Sequence, residues 1–106
     1  MVHGVASTEF APGKRQEAVE YLKKVCGYLK KHGATDAVVM RRWTGQAGQI
    51  SRLLIMTTFD SLEAWAVTAQ KLRNDTEFQA LQREASDPDK GCMVHGTFSR
   101  TVFEVL

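Results

Sequence analysis

The spacing of apolar positions switches along this chain between the step of two that marks a strand and the steps of three and four that mark a helix. Residues 2–10 mix apolar and small polar side chains, with Val2, Val5 and Phe10 the larger apolar ones. They predict a first strand, weakened by Gly4. Ala11-Pro12-Gly13 breaks it. From Lys14 onward Ala18, Val19, Leu22, Val25, Cys26 and Leu29 form one stripe of an amphipathic helix, with Lys23, Lys24, Lys30 and Lys31 on the wet side. Gly33 follows His32 where a left-handed C-terminal cap is expected. Gly27 costs this helix up to about 1 kcal/mol relative to alanine, and is a candidate close-packing point.

Residues 37–43 (AVVMRRW) are β-branched and aromatic enough for a second strand, and 44–48 form a turn around two glycines. Residues 50–59 predict a third strand, with Arg52, Leu54, Met56 and Thr58 on one face and Leu53, Ile55, Thr57 and Phe59 on the other. Both faces are largely apolar, so both need covering. A small sheet with helices on one side has another subunit as the obvious cover for its second side. Asp60 is the expected N-cap of a second helix, and Glu63 completes a capping box. The predicted stripe of that helix is Leu62, Trp65, Ala66 and Ala69. Asn74-Asp75 interrupts it, and residues 76–85 resume as a short helix with Phe78 and Leu81 inward. Residues 86–91 are a loop by composition. Residues 93–106 close the chain as a long strand, with Phe98, Val102 and Phe103 its main apolar residues.

The order strand, helix, strand, strand, helix, strand predicts one domain over residues 1–106. With right-handed crossovers it is a ferredoxin-like βαββαβ two-layer α+β sandwich, four antiparallel strands with helices on one face. Composition agrees, since 43% apolar and 25% charged residues are ordinary for a globular domain. A net charge of +2, with its basic pairs scattered, gives no footprint for nucleic acid. No apolar run approaches the roughly 20 residues of a membrane span, and no secretory layout opens the chain. Cys26 and Cys92 lack metal-ligand or CxxC spacing, so free thiols in a cytoplasmic protein are expected.

Ala11-Pro12-Gly13-Lys14 before the first helix, Leu29 through His32-Gly33 at its end, and Gly48-Gln49-Ile50 leading into a strand that ends Phe59-Asp60-Ser61-Leu62 together resemble the NIPSNAP family. More broadly the chain resembles the dimeric α/β-barrel superfamily, which also holds antibiotic-biosynthesis monooxygenases and haem-degrading monooxygenases. The resemblance implies a homodimer whose two sheets pack face to face into a barrel, with a cleft beside each sheet or at the barrel mouth. It also implies departures. Where NIPSNAP-like proteins carry a histidine and a tryptophan late in the third strand, this chain has Ile55 and Thr57. The asparagine, tryptophan and histidine of haem-degrading members align near Ala6, Thr68 and Phe78. Phenylalanine cannot ligate iron and alanine cannot hydrogen-bond an oxygen intermediate, so haem degradation is not expected, and no cofactor is.

Candidate chemistry is sparse. His3 and His95 lie near the ends of strands that neighbour each other in this fold, and are a possible base and orienter. No carboxylate stands at ligand spacing, so no metal is expected. His32, at a helix C-terminus, has a structural reason to be there. Arg41 and Trp43 share one face of the second strand and could hold a planar anion by charge and stacking. Their competing reading is charge protection of an edge strand. Trp65 and Phe78 stand at helical spacing, as core or as cleft walls. Cys26 reads as packing, whereas Cys92 in its loop reads as the more exposed thiol, and Asp87 and Asp89 as turn residues. The residues expected near a ligand are therefore His3, Arg41, Trp43, Ile55, Thr57, Trp65, Phe78 and His95. The partners expected are a second copy of the chain and a small aromatic or apolar molecule. Three functions follow from this: a binding module without turnover, a cofactor-independent monooxygenase or isomerase acting on an aromatic or polyketide-like compound, and a scaffold whose cleft is self-filled.

Overall fold

A computed structural model describes residues 1–41, 52–94 and 98–106. Strand β1 (Val2–Glu9) is followed by helix α1 (Arg15–His32), strands β2 (Asp36–Arg41) and β3 (Arg52–Phe59), helices α2 (Leu62–Arg73) and α3 (Thr76–Ala85), and strand β4 (Ser99–Glu104). The four strands form one antiparallel sheet in the order β2-β3-β1-β4. This is the expected ferredoxin-like α+β arrangement. Trp43, the 44–48 turn, Ile50 and His95 lie outside the described residues.

Alternation divides the sheet cleanly. Along β3, Leu53, Ile55, Thr57 and Phe59 are buried, while Arg52, Leu54, Met56 and Thr58 are only half-buried. The register sets Val2 beside Phe59 and Thr8 beside Leu53, so β1 buries the same side. Ala18, Leu22, Val25 and Cys26 of α1 pack onto that side with Phe78 and Ala85 of α3. The other side carries Val38, Met56, Val5 and Thr101 in one row across all four strands. Among the described residues no element packs over this row; Val38 at one edge is 38% exposed, and Phe103 on β4 at the other edge is 55% exposed. The two-sided apolar third strand is thus present, with one side filled by the chain itself.

Several local expectations are corrected. Helix α2 is capped by Ser61, not Asp60: Ser61 is extended (φ −152°, ψ 166°), and its Oγ accepts from Ala64 N at 3.1 Å. Two adjacent residues were competent caps, and the path of β3 through Phe59 decides between them. The inward stripe of α2 is Ala64, Trp65, Thr68, Ala69 and Leu72, while Leu62 and Ala66 face solvent. Gly27 is exposed with no atom near the place of a Cβ, so it marks no close contact. Gly33 does cap α1 with a positive φ of 141°, its N–H reaching Leu29 O, and an added Cβ would lie 2.5 Å from Thr68 Oγ1. The last strand starts later than expected. Met93 makes a separate bridge with Phe10, and Phe98 and Phe103 are exposed. Cys92 is buried, because Ala11 N donates to its carbonyl and draws the segment inward.

The cap assignment is open to a direct check. Ser61→Ala is expected to lower stability by about 1 kcal/mol in urea unfolding. Asp60→Ala should change it by less than about 0.5 kcal/mol, as for an ordinary surface site. The reverse ranking would return the cap to Asp60.

Candidate functional site

A cleft of about 820 Å³ opens between the helix-facing side of the sheet and the helices. Gly4, Ala6 and Thr8 of β1 and Ile55 and Thr57 of β3 form its floor. Trp65, Thr68 and Ala69 of α2 and Phe78 of α3 wall it. The floor is deep because its β1 residues are small. A Cβ at Gly4 would lie 2.7 Å from Thr57 Oγ1 and 3.9 Å from Trp65 Nε1. The Thr57 hydroxyl donates to Gly4 O at 3.2 Å, so a side chain there would break that bond and press on the indole. What weakens the strand locally makes room for the cleft.

Among the described residues every buried side-chain nitrogen and oxygen has a hydrogen-bond partner. Thr68, 1% exposed, lies with its hydroxyl 2.9 Å from Ala64 O and 3.2 Å from His32 O. His32 itself holds the helices together. Its imidazole donates from Nε2 to Asp75 Oδ2 at 2.7 Å, joining the end of α1 to the start of α3. Asp75 Oδ1 accepts from Glu77 N and Phe78 N, so the carboxylate that caps α3 also sets the turn that aims Phe78 inward. These bonds, first His32 and then the Phe78 amide, hold the Asp75 carboxyl below the usual carboxylate range.

Reactive groups are muted. Burial, with Cys92 close by, pushes the Tyr21 phenol up to about 12, so its hydroxyl stays a donor at neutral pH. Burial also raises the thiols of Cys26 and Cys92, which removes thiolate character from both. Asp87 is a turn residue, as expected, its carboxylate accepting from Asp89 N and Lys90 N. Among the described residues no cluster of His, Cys, Asp or Glu could hold a metal ion.

The expected ligand residues divide between the two sides of the sheet. Ile55, Thr57, Trp65 and Phe78 surround the cleft together. His3 sits on the opposite face, with Nδ1 3.2 Å from Thr58 Oγ1. Arg41 ends the edge strand β2, exposed and away from the cleft. Trp43 and His95 are outside the described residues. Sequence reasoning missed Arg100, whose guanidinium carbon lies 5.0 Å from the centre of the Trp65 ring at the cleft. Alternation from Val102 would have put it on the helix side. Tyr21 was also missed, three residues after Ala18 on the α1 stripe.

The profile of the NIPSNAP family matches residues 6–90 of the 106-residue chain. The chain belongs to the NIPSNAP family. Among solved structures it is similar to a NIPSNAP family protein of unknown function from Agrobacterium tumefaciens (12% identity, TM-score 0.69, 97% of this chain and 86% of that one). It is also similar to an uncharacterized NIPSNAP domain protein from Burkholderia xenovorans (15% identity, TM-score 0.67, 100% and 95%). A third is a Deinococcus radiodurans protein provisionally named an antibiotic biosynthesis monooxygenase (12% identity, TM-score 0.68, 99% and 92%). At these identities the likeness establishes the fold. Among curated proteins nothing matches significantly.

Within this NIPSNAP chain, the positions singled out by the sequence departures converge. Ile55, Thr57, Ala6, Thr68 and Phe78 all line the one cleft. At those positions the cleft carries aliphatic, hydroxyl and phenyl side chains.

The Asp75 clamp gives a pH signature. A carboxyl whose folded pKa is depressed stabilises the fold above its unfolded value, and this stability is lost as pH falls through the folded pKa. Asp75→Asn, which can still cap, should therefore be less stable than the parent at neutral pH. In urea unfolding the gap should stay full above the ordinary carboxyl value of 3.8 and close as the pH drops further. A gap unchanged down to the lowest pH would mean that the charge of Asp75 contributes nothing.

Proposed function

We propose that this NIPSNAP protein is a homodimeric binding module that holds a small apolar or aromatic molecule in the cleft beside its sheet. The observation that carries this reading is the cleft itself, open at about 820 Å³ and walled by Ile55, Trp65 and Phe78. Drug-sized ligands occupy spaces of roughly 300–1,000 Å³ with mostly apolar walls and a few polar groups. An open cleft of this size leaves little support for a self-filled scaffold. The dimer is supported by the uncovered apolar row Val38, Met56 and Val5, which a second sheet would bury. No helix among the described residues is long and apolar enough to cross a membrane, and the two free cysteines suit a reducing compartment such as the cytoplasm.

Binding without turnover is preferred for a chemical reason. No described cleft residue is a histidine or carboxylate able to move a proton near neutral pH, and Tyr21 is held protonated. The second reading is a cofactor-independent monooxygenase or isomerase working by enclosure of an electron-rich aromatic compound. The apolar cleft and the provisional name of the Deinococcus radiodurans neighbour favour it.

The neutral fluorophore N-phenyl-1-naphthylamine tests the first reading. It should bind the parent protein. Ala69→Phe, which projects a ring from α2 into the cleft, should weaken binding at least about tenfold while cooperative unfolding is kept. Unchanged affinity would put the probe elsewhere and remove the cleft from the function. Oxygen uptake with quinols or anthrones decides between the readings, since turnover would replace the binding module by the oxygenase.

A further inference from the structure

The charges around the cleft are all of one sign. Among its described lining residues there is no aspartate, glutamate, lysine or histidine, and its charges are Arg73 and Arg100. Among the described residues the ion pairs that touch α1 join Lys30 to Asp36 and His32 to Asp75, and neither uses Arg73 or Arg100. Arg100 is exposed on β4, opposite Ala6 of the floor, and its guanidinium carbon lies over the Trp65 ring, 5.0 Å from its centre. Stacking uses the face of a guanidinium and leaves its N–H edges free, which is the geometry that grips a carboxylate with two parallel bonds.

The uncharged polar groups add donors to the two guanidiniums. The Tyr21 hydroxyl and the Trp65 indole N–H line the cleft, and both can donate. The hydroxyls of Thr57 and Thr68 already donate to backbone carbonyls. The cleft therefore offers two guanidiniums, several donors and an apolar wall, while Gln82 and the hydroxyls of Thr8 and Ser86 add acceptors, so the bias towards an anion lies in its charges. A neutral hydrocarbon would cover the guanidinium without replacing the water it displaces, whereas an anionic oxygen group replaces it.

We propose that the ligand is an amphiphilic anion, a planar apolar body seated on Ile55 and Phe78 with one anionic oxygen group, such as a carboxylate, held by the N–H edge of Arg100 over Trp65. This rests on the binding reading and specifies its ligand. Arg100 is then the residue that selects the anion, and the apolar wall supplies the affinity common to charged and neutral compounds.

Two fluorophores with one ring system separate these contributions. The probe 1-anilinonaphthalene-8-sulfonate carries the anion, and N-phenyl-1-naphthylamine lacks it. Arg100→Gln should weaken the sulfonate probe by about fivefold to tenfold and the neutral probe by less than about twofold. Arg100→Lys should recover part of the loss, and raised salt should weaken the sulfonate probe selectively. Arg83→Gln, an exposed α3 position outside the cleft, should alter neither. Because Arg100 is exposed, the variants are expected to fold, which circular dichroism checks. Equal weakening of both probes, an unchanged sulfonate probe, or an equal effect from Arg83→Gln would overturn the proposal and leave the binding reading standing. A parent protein that binds neither probe would overturn the binding reading itself.

Discussion

The structure depends on one constraint, the double-sided apolar character of β3. As an inner strand it must place Leu53, Ile55, Thr57 and Phe59 against the helices, and alternation then commits Leu54 and Met56 to the far side. A register slip of one residue would exchange the two sets. With β1 locked beside it from Val2 opposite Phe59 to Glu9 opposite Arg52, the described helices cover only one side of the sheet. One side becomes core and cleft, and the other remains an apolar surface.

The cleft is a consequence of how the helices are held above that core. At one end Val2 and Phe59 are nearly fully buried and close the space. Along the middle Gly4 and Ala6 leave the floor low, while Trp65 and Phe78 stand over it. The His32–Asp75 contact fixes α1 to α3, and the buried Thr68 hydroxyl ties α2 to the end of α1 at Gly33. Side chains that carry no reaction chemistry thus keep a space open that ordinary packing would fill.

Much of this was legible in the residues. The order of elements, the parity of β3 and the α1 stripe follow from local periodicity, and the structure reproduces them. The Gly33 cap was readable because a glycine after a basic last turn has few other reasons to be there. What was not legible depended on distant partners. Ser61 and Asp60 are both good caps in isolation, and only the path of the preceding strand separates them. Thr68 looks like a solvent residue until the His32 carbonyl is placed beside it. Arg100 and Trp65 lie far apart in the chain, so their stacking appears only once β4 is set against β1. Cys92 reads as exposed in a loop, and backbone bonds of its segment to Ala11, Ala85 and Glu9 draw it inward. Ile55, Thr57, Trp65 and Phe78 line one cleft, while His3 and Arg41 belong to other surfaces.

If β3 is apolar on both sides because both sides are buried, the proposed second copy of the chain is what covers its outer face. The mass of the particle in sedimentation at micromolar concentration tests this most directly. A dimer of the 11.8 kDa chain is the expected result, and Leu54→Glu in the middle of the face should reduce it to the monomer. A parent protein that sediments as a monomer would contradict the two-sided sheet as the organising constraint of the fold.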